Sequence, residues 1–133
     1  MNRNTRPIFL YGRVAMAKNW TAPQIAKHKV SDGNEPLVML TAYDAPGGRM
    51  VSEAGADIIL VGDTLAMVVL GYEDTMQVTI EDMVHHTAAV ARAEPDAFIV
   101  ADLPWMSYHV SQEETVKNAA RLIRAGAKAV KLD

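Results

Sequence analysis

Ile58-Ile59-Leu60-Val61-Gly62-Asp63 is a short apolar run that ends in an acid, and the chain repeats the pattern. Phe98-Ile99-Val100-Ala101-Asp102 and Ala129-Val130-Lys131-Leu132-Asp133 have the same form, and a further run, Leu37-Val38-Met39-Leu40-Thr41, leads into Tyr43-Asp44. Strands of a parallel sheet are buried on both faces and read as continuous apolar stretches. In α/β folds, ligands bind where such strands end. Acids at several strand ends therefore converge, and clustered carboxylates repel one another unless a cation or shared protons neutralise them. The pattern points to a divalent metal site at one end of a parallel sheet.

The segments between the runs carry helix signals. Thr79 opens a helix to about Arg92, with Asp82 in capping-box position, and Ser111 with Glu114 opens another to about Ala125, ended by Gly126. A helix over Ala45 to Ala54 is closed by Gly55 and weakened by Gly47-Gly48. Ahead of these, Thr21 caps a short helix over Ala22 to Lys29 with Pro23 in its first turn, and Ser31-Asp32-Gly33-Asn34 is a turn. The long connection from Gly62 to Val78 is of the length at which loops are usually functional.

The order is βαβαβαβ, which implies a parallel sheet with right-handed crossovers. A small open doubly wound sheet and the first half of a (β/α)8 barrel, which takes about 250 residues, both satisfy it. The last run closes on a catalytic-looking acid with no helix after it, which favours the barrel half. The expected organisation is an amino-terminal arm over residues 1–35 and about the first four βα units of a TIM barrel over residues 36–133.

Composition narrows the function classes. The chain has 133 residues, 50% apolar and 22% charged, with a net charge of −3, an ordinary globular profile. A mildly acidic chain without a basic run is a poor nucleic-acid binder, and no apolar stretch reaches the roughly 18–20 residues of a membrane helix. With no cysteine, disulfides and thiolate metal sites are excluded, which fits a cytoplasmic location. Ile8-Phe9-Leu10 is too short for the apolar core of a signal peptide.

Seven segments between Thr41 and Asp133 resemble ketopantoate hydroxymethyltransferase (3-methyl-2-oxobutanoate hydroxymethyltransferase) in order and spacing. They are Thr41-Ala42-Tyr43-Asp44, Val61-Gly62-Asp63-Thr64-Leu65-Ala66-Met67, Gly71-Tyr72, Val78-Thr79, His86-Thr87, Ala101-Asp102-Leu103-Pro104 and Val130-Lys131-Leu132-Asp133. The resemblance implies a (β/α)8 barrel related to the phosphoenolpyruvate mutase and isocitrate lyase group, assembled as a homo-oligomer. It implies transfer of a hydroxymethyl group from 5,10-methylenetetrahydrofolate to α-ketoisovalerate through a Mg²⁺-stabilised enolate, giving ketopantoate for pantothenate and coenzyme A. By the same resemblance, Asp63 and Asp102 are Mg²⁺ ligands and Asp133 occupies the third acidic metal position. Asp63, Thr64, Asp102 and Lys131 contact the ketoacid, Thr64 at its carboxylate. Lys131 and Asp133 are the catalytic positions in this part of the chain. The general base is implied to be a glutamate of the family's carboxyl-terminal half, to which nothing in these residues aligns. A Mg²⁺-dependent oxoacid lyase or mutase of the related group, and an inactive half-barrel that serves only in assembly, are the alternatives.

Four positions depart from the commoner family pattern. Thr64 stands for Ser and keeps the hydroxyl, Gln77 replaces Pro, and Asp133 replaces a Glu and is shorter by one methylene. Ala66 replaces Gly, so its backbone must avoid positive φ or accept strain. Other residues have plainer readings. Asp44 is a strand end and helix cap, and His85 and His86 are too close in sequence to share a metal from one helix face. His86 suits packing or hydrogen bonding, and His109 falls in a loop. Met67, Met76 and Met83 suit core or loop packing. Trp105 and Tyr108 wall the pocket or pack their loop, and Glu113 and Glu114 favour the positive end of a helix.

Overall fold

A computed structural model of the chain describes residues 7–10 and 13–16 as backbone only, and residues 19–93 and 95–132 in full. Within the arm, two strands, β1 (Pro7–Leu10) and β2 (Arg13–Met16), pair antiparallel. The sequence reading had assigned no strand there, because four-residue segments are too short to show a period. Helix α1 (Ala22–Lys27) begins as expected: Thr21 Oγ1 accepts from Gln24 N–H, and Gln24 Oε1 accepts from Thr21 N–H. A single 3₁₀ turn, Val30–Asp32, closes on Gly33 at φ +83°. The arm is tied to the sheet by Trp20, whose Nε1–H donates to the buried Asp57 carboxylate at 3.0 Å, while the other Asp57 oxygen accepts from Val38 N–H at 3.0 Å.

Four parallel strands follow, β3 (Met39–Thr41), β4 (Ile58–Val61), β5 (Phe98–Asp102) and β6 (Ala129–Lys131), lying in sequence order. The helices between them are α2 (Ala45–Glu53), α3 (Leu65–Val68), α4 (Ile80–Arg92) and α5 (Gln112–Ala125). A right-handed crossover that always steps to the next strand in the same direction puts every helix on one face. α2 packs on α4 and α4 on α5 accordingly. A doubly wound sheet requires the strand order to reverse; here it does not. The architecture is part of a (β/α)8 barrel, with a helix-covered outer face and an inner face.

Register fixes which residues share a face. Ile59 pairs with Ile99 and Val61 with Ala101, and all four are buried against the helices with Leu65, Met83, Val90 and Leu122. The alternate set, Leu60, Val100 and Asp102, faces inward, where Leu60 and Val100 are only half-buried.

Local signals set the helix limits. Thr79 and Asp82 exchange both capping-box hydrogen bonds. For α5 only half the expected box forms: Ser111 Oγ accepts from Glu114 N–H, and the helix ends on Gly126 at φ +118°. Gly48 lets α2 approach α4 closely, since a Cβ there would sit 3.1 Å from Val90 Cγ1. Gly48 is thus a packing device, whereas a Cβ on Gly47 would meet the capping Asp44 Oδ1 at 2.8 Å.

The long connection contains a helix that the sequence reading missed, α3, with Leu65 and Ala66 fully buried. Ala66 sits inside it, and among the described non-glycine residues only Met106 has positive φ, so the replacement of glycine brings no strain. Met83 is a core residue as expected, whereas Met67 and Met76 are exposed, because only one side of this short segment faces the core. Among the described residues no helix is long and apolar enough to cross a membrane.

Candidate active site

The carboxyl ends of β4, β5 and β6 build one cluster. Asp102, the last residue of β5, is buried at 2% exposure on the inner face. Its register partner on β6 is Lys131, so the two side chains share that face, and Lys131 Nζ lies 3.2 Å from Asp102 Oδ1. A lysine inside an apolar run is explained by this pairing: a parallel barrel strand offers a charged side chain an outlet only near its ends.

From the other side, β4 runs out through Gly62 into Asp63. Asp63 N–H donates to Asp102 Oδ2 at 3.1 Å, which joins the tips of adjacent strands. Gly62 continues the inward parity of Leu60. A Cβ on it would meet Thr64 Oγ1 at 3.2 Å, Asp102 Oδ2 at 3.5 Å and Leu60 Cδ2 at 3.7 Å. The missing side chain therefore lets the Thr64 hydroxyl and the Asp102 carboxylate come close to the backbone at the floor of the cluster.

Asp63 itself is half-buried and Thr64 exposed at the start of α3, where its backbone is helical and its hydroxyl makes no cap bond. Four of the five residues expected at the site, Asp63, Thr64, Asp102 and Lys131, thus lie at one end of one sheet. The fifth, Asp133, lies outside the described residues. Among those described, no three His, Cys, Asp or Glu side chains are grouped to hold a metal. The donor set present consists of two carboxylates on adjacent strand tips with a hydroxyl beside them. Hard oxygen ligands with one or two carboxylates, completed by water and substrate, suit Mg²⁺.

One participant escaped the sequence reading. Tyr43, just past β3, brings its hydroxyl to 3.2 Å from Thr64 Oγ1, so a fourth strand end reaches the cluster. The signal is the Tyr43-Asp44 pair at a strand end, where the tyrosine as well as the acid can face the site. Asp44 caps α2, its Oδ1 accepting from Gly47 N–H at 2.7 Å, as its plainer reading held. His86 of α4 holds the same segment: its Nδ1 is 2.7 Å from the Tyr43 carbonyl oxygen. That oxygen can only accept, so Nδ1 carries the proton.

After β5, Leu103 and Pro104 are buried and Met106 turns at φ +65°. Asn118 of α5 donates to the Ser107 carbonyl, and Tyr108 packs against the core while Trp105 stays exposed.

Comparison with known proteins gives the family and the fold. The family model for ketopantoate hydroxymethyltransferase matches residues 19–133. A 3-methyl-2-oxobutanoate hydroxymethyltransferase of Ignicoccus hospitalis is 64% identical over 99 residues, covering 74% of this chain and 38% of the relative. That of Bacillus subtilis is 55% identical over 106 residues, covering 79% and 38%. The chain thus spans less than half the length of these relatives. Among solved structures, phosphoenolpyruvate phosphomutase from Streptomyces platensis superposes with a TM-score of 0.67 at 20% identity, covering 85% of this chain and 38% of that one. 2,3-Dimethylmalate lyase, a PEP mutase/isocitrate lyase superfamily member, gives 0.61 at 20% identity, covering 84% and 39%. At that identity the likeness is one of fold.

Proposed function

Because this chain belongs to the ketopantoate hydroxymethyltransferase family, we propose that it carries the metal- and ketoacid-binding part of a 3-methyl-2-oxobutanoate hydroxymethyltransferase. The substrates are α-ketoisovalerate and 5,10-methylenetetrahydrofolate, and the product serves pantothenate biosynthesis in the cytoplasm, in a homo-oligomeric enzyme. One observation carries the reading: on adjacent strand tips the Asp63 backbone N–H donates to one Asp102 oxygen, with the Lys131 ammonium against the other.

Asp63 and Asp102 would hold a Mg²⁺ ion, with Asp133 as its third acidic neighbour. Bound there, the ion supplies a Lewis acid that stabilises negative charge developing on the ketoacid as its neighbouring carbon loses a proton. Lys131 Nζ lies against Asp102 Oδ1, and Asp63 N–H donates to Asp102 Oδ2. Thr64 donates its hydroxyl proton to the substrate carboxylate. Lys131, part-exposed at 37% of its side chain, adds positive charge toward the same anion and offsets charge formed in the reaction. Sequence relatives at 55% and 64% identity carry the transferase name, whereas the lyase and mutase neighbours share the fold at 20%. That contrast favours the transferase.

Calorimetric titration of the chain with Mg²⁺ and α-ketoisovalerate tests the reading. Asp102→Asn and Asp63→Asn are each expected to weaken joint binding by at least about tenfold, the lower end of the loss seen when metal-site groups are altered. Binding indifferent to both substitutions refutes it.

A further inference from the structure

We propose that Tyr43 is a positioning residue for the ketoacid carboxylate, acting through Thr64. The inference rests on the substrate reading above and adds a residue to it.

Thr64 opens α3, a position where a threonine hydroxyl ordinarily accepts a helix N–H. Here it makes no such bond, and its Oγ1 lies 3.2 Å from Tyr43 Oη. That oxygen lies at the site floor, 3.2 Å from the point where a Cβ on Gly62 would stand, with Asp102 Oδ2 3.5 Å from the same point.

A threonine hydroxyl has one proton and two acceptor sites. With Tyr43 donating, the Thr64 proton is left for a ligand, and the bond received polarises the bond given. With no tyrosine hydroxyl, the Thr64 side chain turns among its rotamers and its proton has no set direction. An anionic ligand that accepts from Thr64 selects the first arrangement.

Tyr43 is itself held on three sides. Ala42 before it is buried in the core, Asp44 after it caps α2, and its carbonyl accepts from His86 of α4 at 2.7 Å. The phenol therefore extends from a fixed backbone, as a positioning group requires.

The test is a double-mutant cycle with Tyr43→Phe and Thr64→Val, read by titration with α-ketoisovalerate in the presence of Mg²⁺. Tyr43→Phe is expected to weaken binding about five- to tenfold, as expected for one net hydrogen bond, and to have no further effect in the Thr64→Val background. Equal losses in both backgrounds, or no loss in either, overturn the proposal, because a merely structural Tyr43 does not depend on the Thr64 hydroxyl. Thermal unfolding of each variant checks that the fold is kept. The Thr64 methyl resonance, followed by NMR without ligand, gives an independent readout. It is expected to shift and average in Tyr43→Phe; an unchanged resonance overturns the coupling. If the unaltered chain binds no ketoacid, the functional reading fails, while the methyl signal still decides whether Tyr43 orders Thr64.

Discussion

Gly62→Ala separates the site from the stability of the fold. Gly62 follows β4 and is not among the glycines with positive φ, so its backbone accepts an alanine. The added carbon would stand 3.5 Å from Asp102 Oδ2 and 3.7 Å from Leu60 Cδ2, both ordinary contacts, but 3.2 Å from Thr64 Oγ1, which must yield by a few tenths of an ångström. The Tyr43–Thr64 hydrogen bond is already long at 3.2 Å. A small displacement therefore costs most of its net worth, about 0.5–1.5 kcal/mol. Losing flexibility in the unfolded chain returns about 0.4–1 kcal/mol of stability, so the two nearly cancel for folding. They do not cancel for binding, because the hydroxyl that must yield is the one proposed to hold the substrate carboxylate. Thermal unfolding should move by no more than a few degrees, while the dissociation constant for α-ketoisovalerate with Mg²⁺ rises about threefold to tenfold. Tight binding kept alongside a large loss of stability would refute the reasoning, since it would place the ligand away from this floor.

Two further predictions concern the scaffold. Asp82 accepts from Thr79 N–H at 2.9 Å and Thr79 Oγ1–H at 2.7 Å, and these bonds hold its carboxyl below the ordinary value of 3.8. A lowered value stabilises the fold above the ordinary range and is lost as pH falls through the folded value. Asp82→Ala should therefore cost about 1 kcal/mol at neutral pH, with the gap to the unaltered chain closing below about pH 4 in denaturant titrations; a gap that persists in acid counts against it. Gly126→Ala would place a methyl in a left-handed backbone, against the Ala91 side chain. A loss of about 1–2 kcal/mol for the backbone alone, plus the steric clash, should lower the unfolding midpoint by roughly 5 °C or more. Adding Ala91→Gly should restore only the steric part, and full rescue would show that the φ requirement was overstated.

Much of this fold was legible along the chain, because its signals are local. The apolar runs became β3 to β6 to within a residue or two, and the capping threonines at 21 and 79 and the glycine at 126 set helix ends where expected. Local signals also misled where one helix turn answers to the core on one side only. Nothing in Leu65–Val68 distinguishes a short helix from a loop until Leu65 and Ala66 find the core and Met67 and Val68 do not. In the same way, Ser111 and Glu114 have the spacing of a reciprocal cap, yet only one of its two bonds forms.

For the site, the sequence alone determined which residue types stand at the strand ends, since an acid closing an apolar run is visible without coordinates. It also left two sheet architectures open, and the unreversed order of β3 to β6 chose between them. Only the tertiary structure decided what meets what. Asp63 and Asp102, 39 positions apart, share a hydrogen bond, Lys131 finds Asp102 through strand register, and Tyr43 reaches Thr64 from a fourth strand. Such pairings depend on register and on the hand of the crossovers, which act between segments distant in the chain and leave no mark on the residues of either segment alone.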